Sequence, residues 1–146
     1  MTDPTATSPP EPIVYDRRIR FSDCDAQGIV YNPNYLVYWD DAFTDYMDAI
    51  GCSWDLMVGM GDDVVLARTE IDYRRSARMG QVVSTAVRVA GIGRSSITFE
   101  YLSTDPGTGE TLVEGRQVQV IVDHETMRPK TVPDYLRGMI ARQEGW

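Results

Sequence analysis

FSDCDAQGIVYNPNYLVYWDD, residues 21–41, places an acidic loop, a glycine and a proline-started aromatic helix in direct succession. A strand-like run over residues 13–21 breaks at Ser22, Asp23 and Asp25, which favour turns over ladders, and Gly28 then permits a backbone angle that a side chain opposes. Pro33 suits a first helical position, where its missing N–H costs nothing, with Asn32 before it as the cap. Free N–H groups at that helix start should point back toward the Asp25 loop, a geometry that favours developing negative charge.

From residue 33 to 50, at about 100 degrees per residue, Tyr35, Leu36, Trp39, Ala42, Phe43, Tyr46, Met47 and Ile50 fall in one arc of roughly 140 degrees, so the helix should bury that stripe. Asp41, Asp45 and Asp48 project to the far side, while Asp40 stands at the margin of the apolar arc beside Met47. Gly51 closes the helix, and residues 54–60 are expected to add a short helical turn. The period then changes. Residues 64–73, 82–90, 96–103 and 111–122 carry the β-branched and aromatic enrichment of strands, separated by tight reversals at GIGR, 91–94, and DPGTGE, 105–110. A last helix is expected over 133–142, with Leu136, Met139 and Ile140 on one face. One strand, one long buried helix and four consecutive strands describe an α+β domain, an antiparallel sheet wrapped on a helix. Its open edges favour a homodimer over a monomer.

The 146 residues fit a single domain, read as 13–146, behind a Thr-, Pro- and Ser-rich tail over 1–12 that lacks an apolar segment. A formal charge of -8 argues against a general nucleic-acid binder, though local arginines can still hold a small phosphorylated ligand. With two cysteines, Cys24 and Cys52, no secretory signal and no long apolar run, the expectation is a cytoplasmic protein with free thiols and no membrane partner. Two cysteines and one histidine in no metal-like spacing do not call for zinc, and D-x-D alone is weak ground for magnesium; no metal is expected. Cys24 lies between two carboxylates that oppose its thiolate, and His124 sits in a turn after the last long strand, so neither recommends itself as a catalyst.

The run D-x-D-x-x-G-I-V-Y-x-P-N-Y, residues 23–35, resembles the hotdog-fold acyl-CoA thioesterases, particularly the 4-hydroxybenzoyl-CoA thioesterase group. Order and spacing agree over thirteen positions, and the strand layout with P-x-x-V-P at 129–133 extends the similarity from about residue 13 to 142. The chain departs from many members in having Ser76 for a proline and Gly80-Gln81 for a Gly-Asp pair. The resemblance implies a hotdog fold, a dimer or a tetramer of dimers, an active site at the subunit interface and Asp25 as the catalytic carboxylate.

Thioester hydrolysis requires an activated water or a nucleophile, plus a donor for the carbonyl oxyanion. Asp25 can serve as general base or attack directly to form an anhydride, two routes that the sequence leaves open. The backbone N–H of Asn32, with Tyr31 beside it, is the expected oxyanion donor. Asp23 is read instead as a residue that bonds loop amides and orients its neighbour. Position alone leaves Asp40 evenly between solvent and the acyl pocket; in the hydroxybenzoyl-specific relatives an acid there accepts a hydrogen bond from the ring hydroxyl. Tyr31, Tyr35, Tyr38 and Trp39 offer an aromatic lining or simply core. Arg94, Ser95 and Ser96 resemble the family's nucleotide-binding segment, and Arg74, Arg75 and Arg78 form a second cluster. The expectation is therefore an acyl-CoA thioesterase that releases free acid and CoA from a short or aromatic, 4-hydroxybenzoyl-like ester. It requires no cofactor, CoA being part of the substrate. The rivals are a thioesterase acting on acyl carrier protein and a non-catalytic acyl-CoA-binding hotdog protein.

Overall fold

A computed structural model describes residues 10–146. The tail expected over 1–12 lies outside the described residues as far as residue 9; the carbonyls of Pro10 and Glu11 accept bonds from Arg88 Nη2 (2.6 Å) and Gln143 Nε2 (3.1 Å). In chain order the elements are β1 (Ile13–Arg18), α1 (Asn34–Ala49), α2 (Trp54–Gly59), β2 (Asp62–Tyr73), β3 (Val82–Ile92), β4 (Ser96–Thr104), β5 (Thr111–Asp123) and α3 (Asp134–Glu144).

The five strands form one antiparallel sheet in the order β1-β3-β4-β5-β2. Alternation along the central strands turns Val83, Thr85, Val87 and Val89 of β3, and Ile97, Phe99, Tyr101 and Ser103 of β4, to one buried face. That face receives the apolar stripe of α1. Trp39 stacks on Tyr101 with ring centroids 4.6 Å apart and donates its indole N–H to Ser103 Oγ at 3.1 Å, while Phe43 and Tyr46 set their edges against Phe99. Each such aromatic pair adds about 0.5–1.5 kcal/mol beyond the area it buries. Tyr38, outside the expected arc, is buried too, under the guanidinium of Arg17.

Several boundaries differ from the sequence reading, β3 running on to Ile92 and α3 to Glu144 among them, and three of the shifts have a clear physical cause. β1 stops at Arg18 instead of residue 21, because Phe21–Asp23 winds into a 3₁₀ turn whose Asp23 carboxylate accepts the Arg20 N–H at 2.7 Å. The helix begins at Asn34, after Pro33, and no side chain caps it; Asn32 does not play that part. The amides of Asn34, Tyr35 and Leu36 are instead taken by the carbonyls of Tyr31, Asn32 and Pro33, a 3₁₀-type tightening that makes a cap unnecessary. β2 starts two residues early, at Asp62, because that buried carboxylate is held by the Tyr135 hydroxyl (2.6 Å) and Lys130 Nζ (2.6 Å), which also tie down the C-terminal segment.

The outer strands differ in length. β1 has 6 residues and β2 has 12, so β2 leaves the longer unpaired edge. No helix among the described residues is long and apolar enough to cross a membrane.

Candidate active site

Asp25 opens a four-residue turn in which its carbonyl accepts the Gly28 N–H at 3.0 Å and its carboxylate accepts the Gln27 N–H at 2.8 Å. Gly28 closes the turn at φ 76°, where a side chain would be strained. The Asp25 N–H returns to the Ile29 carbonyl at 2.9 Å, and Val30 docks its N–H on the Ala77 carbonyl at 2.9 Å. Asp25 is thereby placed, half-buried, in a cleft of about 470 Å³ that it shares with Phe21, Cys24, Ala26, Gly28 and Met79. Phe21 and Met79 are 84% and 61% exposed, an apolar rim around a carboxylate.

Asp23 fastens this hairpin to the helix. Its carboxylate receives Arg17 Nη2 on both oxygens, at 3.0 and 3.1 Å, together with the Arg20 N–H; its carbonyl receives the Tyr31 N–H at 2.9 Å and the Asn34 side-chain amide at 2.8 Å. Burial opposes the charged form of Asp23, but the Arg20 and Arg17 bonds outweigh it and hold the carboxyl below its usual range. Asn34 and Arg17 went unremarked in the sequence. Asn34 was visible within the P-N-Y run, whereas nothing in the order of residues marks Arg17 as the partner of an acid six positions on.

The helix start has a simple donor inventory. Tyr31 spends its N–H on Asp23, Pro33 has none, and Asn34, Tyr35 and Leu36 are bonded as above. Asn32 retains the one N–H in residues 31–36 with no partner among the described residues. Since the Tyr31 carbonyl points into the helix to meet the Asn34 amide, the Asn32 N–H in the same trans peptide points out of the helix end. Asp25 and Asn32 are thus joined through a short, heavily bonded segment, whereas the Tyr31 amide is already used.

The remaining site candidates are more scattered. Tyr35 and Trp39 lie inside the subunit, 2% and 0% exposed; the Tyr35 hydroxyl accepts the Ala77 N–H at 3.4 Å. Asp40 is exposed, and partial desolvation and the neighbouring Asp41 raise its pKa. Its charge also reaches the Tyr101 hydroxyl, which burial first and Asp40 second hold in the protonated form. Arg94 and Ser95 occupy the turn after β3 and Ser96 opens β4, while the Asp25 hairpin docks just ahead of Val82, where β3 begins; at about 3.3 Å per residue these are roughly 30 Å apart. One chain does not bring them together. Of the second arginine cluster, Arg74 pairs with Glu114 (3.1 Å) and Arg75 with Glu110 (3.5 Å), whereas Arg78 lies over Gly28 with no acidic partner among the described residues.

His124 bonds Asp63 at 2.9 Å at the end of the sheet opposite Asp25. Cys52 is fully buried, its thiol pushed up to about 11 by burial and by Asp62. A wider recess of about 580 Å³ lies on the sheet face away from α1, lined by Glu70, Asp72, Glu100 and Glu114 with Arg88 and Arg116, of which Glu100 and Arg116 pair at 3.4 Å.

The sequence profile of the thioesterase-like superfamily matches residues 19–140. A crystal structure of a thioesterase complexed with coenzyme A and Zn from Thermus thermophilus superposes with a TM-score of 0.80 at 34% identity, covering 93% of this chain and 96% of that one. A 1,4-dihydroxy-2-naphthoyl-CoA hydrolase of Synechococcus elongatus is 22% identical over 84% of this chain and 90% of its own. The acyl-CoA thioester hydrolase YbgC of Escherichia coli is 22% identical over 80% and 86%. With the antiparallel sheet wrapped on α1 and the acid-loop-to-helix motif in place, the chain belongs to the thioesterase-like superfamily and is a hotdog-fold thioester hydrolase.

Proposed function

We propose that the protein hydrolyses an acyl-CoA thioester bearing a short or aromatic acyl group, 4-hydroxybenzoyl-like, to the free acid and CoA. The observation that carries this reading is the unpartnered Asn32 N–H at the start of α1, one short bonded segment away from the Asp25 carboxylate. In one route Asp25 takes a proton from water as the oxygen attacks the carbonyl carbon. In the other its own oxygen attacks, CoA leaves as the thiolate, and water cleaves the resulting anhydride. Either way the carbonyl oxygen becomes an anion that the Asn32 N–H receives, and collapse breaks the C–S bond. General base assistance contributes about 100- to 10,000-fold and one oxyanion donor about 100- to 1000-fold, without a metal or redox group.

CoA as the carrier is supported by the CoA complex of the Thermus relative, and an aromatic acyl group by the dihydroxynaphthoyl-CoA hydrolase among the relatives. Asp40 is assigned to the acyl group's polar end, with Tyr35 and Trp39 shaping the wall behind it. Since Arg94, Ser95 and Ser96 stand at the far end of β3 from Asp25, their assignment to the nucleotide requires a second copy. The long free edge of β2 is the natural seam for that homodimer, and dimers can pair again into tetramers. The unpaired thiols Cys24 and Cys52 fit a reducing cytosol.

Thiol release from 4-hydroxybenzoyl, phenylacetyl, short-chain and long-chain CoA esters, with matched carrier-protein thioesters, tests the reading. Turnover of the aromatic or short CoA esters is expected to lead. Preference for the carrier esters would move the assignment to a carrier-protein thioesterase, and tight binding without thiol release would reject catalysis.

A further inference from the structure

Asn32 receives help from a strand far away in sequence. The hydroxyl of Tyr73, the last residue of β2, donates to the Asn32 carbonyl at 3.3 Å across 41 residues of chain. The same carbonyl accepts the Tyr35 N–H, also at 3.3 Å, so two long bonds share its restraint. The Tyr73 ring in turn sets its edge against Tyr35, centroids 5.9 Å apart and planes at 65°, and Tyr35 is fixed through its hydroxyl to the Ala77 amide beside the Asp25 hairpin.

The peptide unit before Asn32 is pinned at the Tyr31 carbonyl and the one after it at the Asn32 carbonyl. With both planes restrained and Pro33 next, φ and ψ of Asn32 are narrowed, and with them the direction of its N–H. We infer that Tyr73 is a positioning residue for the oxyanion amide: its hydroxyl never meets the substrate, but it holds the Asn32 backbone at the angle the tetrahedral oxygen requires. Half-exposed at a strand terminus, the ring is weakly placed as a core element, which makes the bond to Asn32 its main contribution.

The inference rests on the thioesterase reading above, and the test separates the two. Tyr73→Phe keeps the ring against Tyr35 and removes only the donor. Its kcat on 4-hydroxybenzoyl-CoA should fall about three- to tenfold, with KM, inhibition by free CoA and thermal midpoint unchanged. Amide hydrogen exchange at Asn34 and Tyr35 should accelerate severalfold as the helix start loosens. A wild-type kcat in Tyr73→Phe, or a loss that follows KM or the midpoint, would overturn the positioning role while leaving the activity assigned. A wild type without thioesterase activity on any ester would overturn both.

Discussion

A methyl group added at Gly115 has nowhere to go. Gly115 pairs with Ile71 where β5 meets β2, and a Cβ there would overlap the Glu70 carbonyl oxygen, lying 2.9 Å from its carbon and 3.0 Å from Ile71 Cα. The obstacles are all backbone, so no side chain can swing aside; β2 itself has to yield. Forced overpacking costs about 1–3 kcal/mol, and a rigid obstacle places Gly115→Ala near the upper end. At about 2–4 °C per kcal/mol for a chain of this size, the thermal midpoint should drop by about 6–12 °C, read by circular dichroism. Gly138→Ala is the matched control: it lies inside α3, nothing stands within 4 Å of the new methyl, and helix propensity should raise stability by up to about 1 kcal/mol. Activity gives a second reading, because Tyr73 follows Ile71 on the displaced strand by two residues, so kcat should fall more than folding loss at the assay temperature explains. A Gly115→Ala midpoint equal to wild type would rule out the close approach of β2 and β5.

The Asp23 anchor predicts a pH effect. Its folded pKa is depressed, so the stability it supplies is present above the unfolded value of 3.8 and is lost as pH falls through the folded one. In Arg17→Met the folded pKa moves back up toward 3.8, so the stability lost on acidification should shrink. At neutral pH the variant should lose about 1.5 kcal/mol, the low end for a hydrogen bond to a charged group, since Arg17 is 32% exposed. Chemical denaturation from pH 3 to 7 measures both, and superimposable curves would reject the anchor. For Asp40→Ala, the preference for 4-hydroxybenzoyl-CoA over benzoyl-CoA should shrink about tenfold, with benzoyl-CoA turnover kept; an unaltered ratio would return Asp40 to the solvent.

The fold was legible because period and composition agreed along the whole chain. The stripe from Tyr35 to Ile50 is the buried face of α1, and the four β-rich runs became four neighbouring strands. What stayed hidden was long-range. That Asp62 extends β2 depends on Tyr135 and Lys130, and that Arg17 sits on Asp23 depends on how the 3₁₀ turn folds back; neither partner is signalled by local spacing. Asn32 shows both sides of this. Proline and helix periodicity marked the place where an amide would be free, but expecting a side-chain cap overlooked the 3₁₀ bonds that satisfy its neighbours. The segment at 94–96 was recognisable as a motif, but its distance from Asp25 is a property of strand β3, not of the motif.

We propose that the Asp25 carboxylate does the chemistry beside the Asn32 amide. Asp25→Asn retains a side-chain oxygen to accept the Gln27 N–H, so the turn should survive while the base or nucleophile is lost. Single-turnover release of CoA from 4-hydroxybenzoyl-CoA is the direct measurement. The expected rate is at least about a hundredfold below wild type with an unchanged thermal midpoint; a near-normal rate would remove Asp25 from the chemistry.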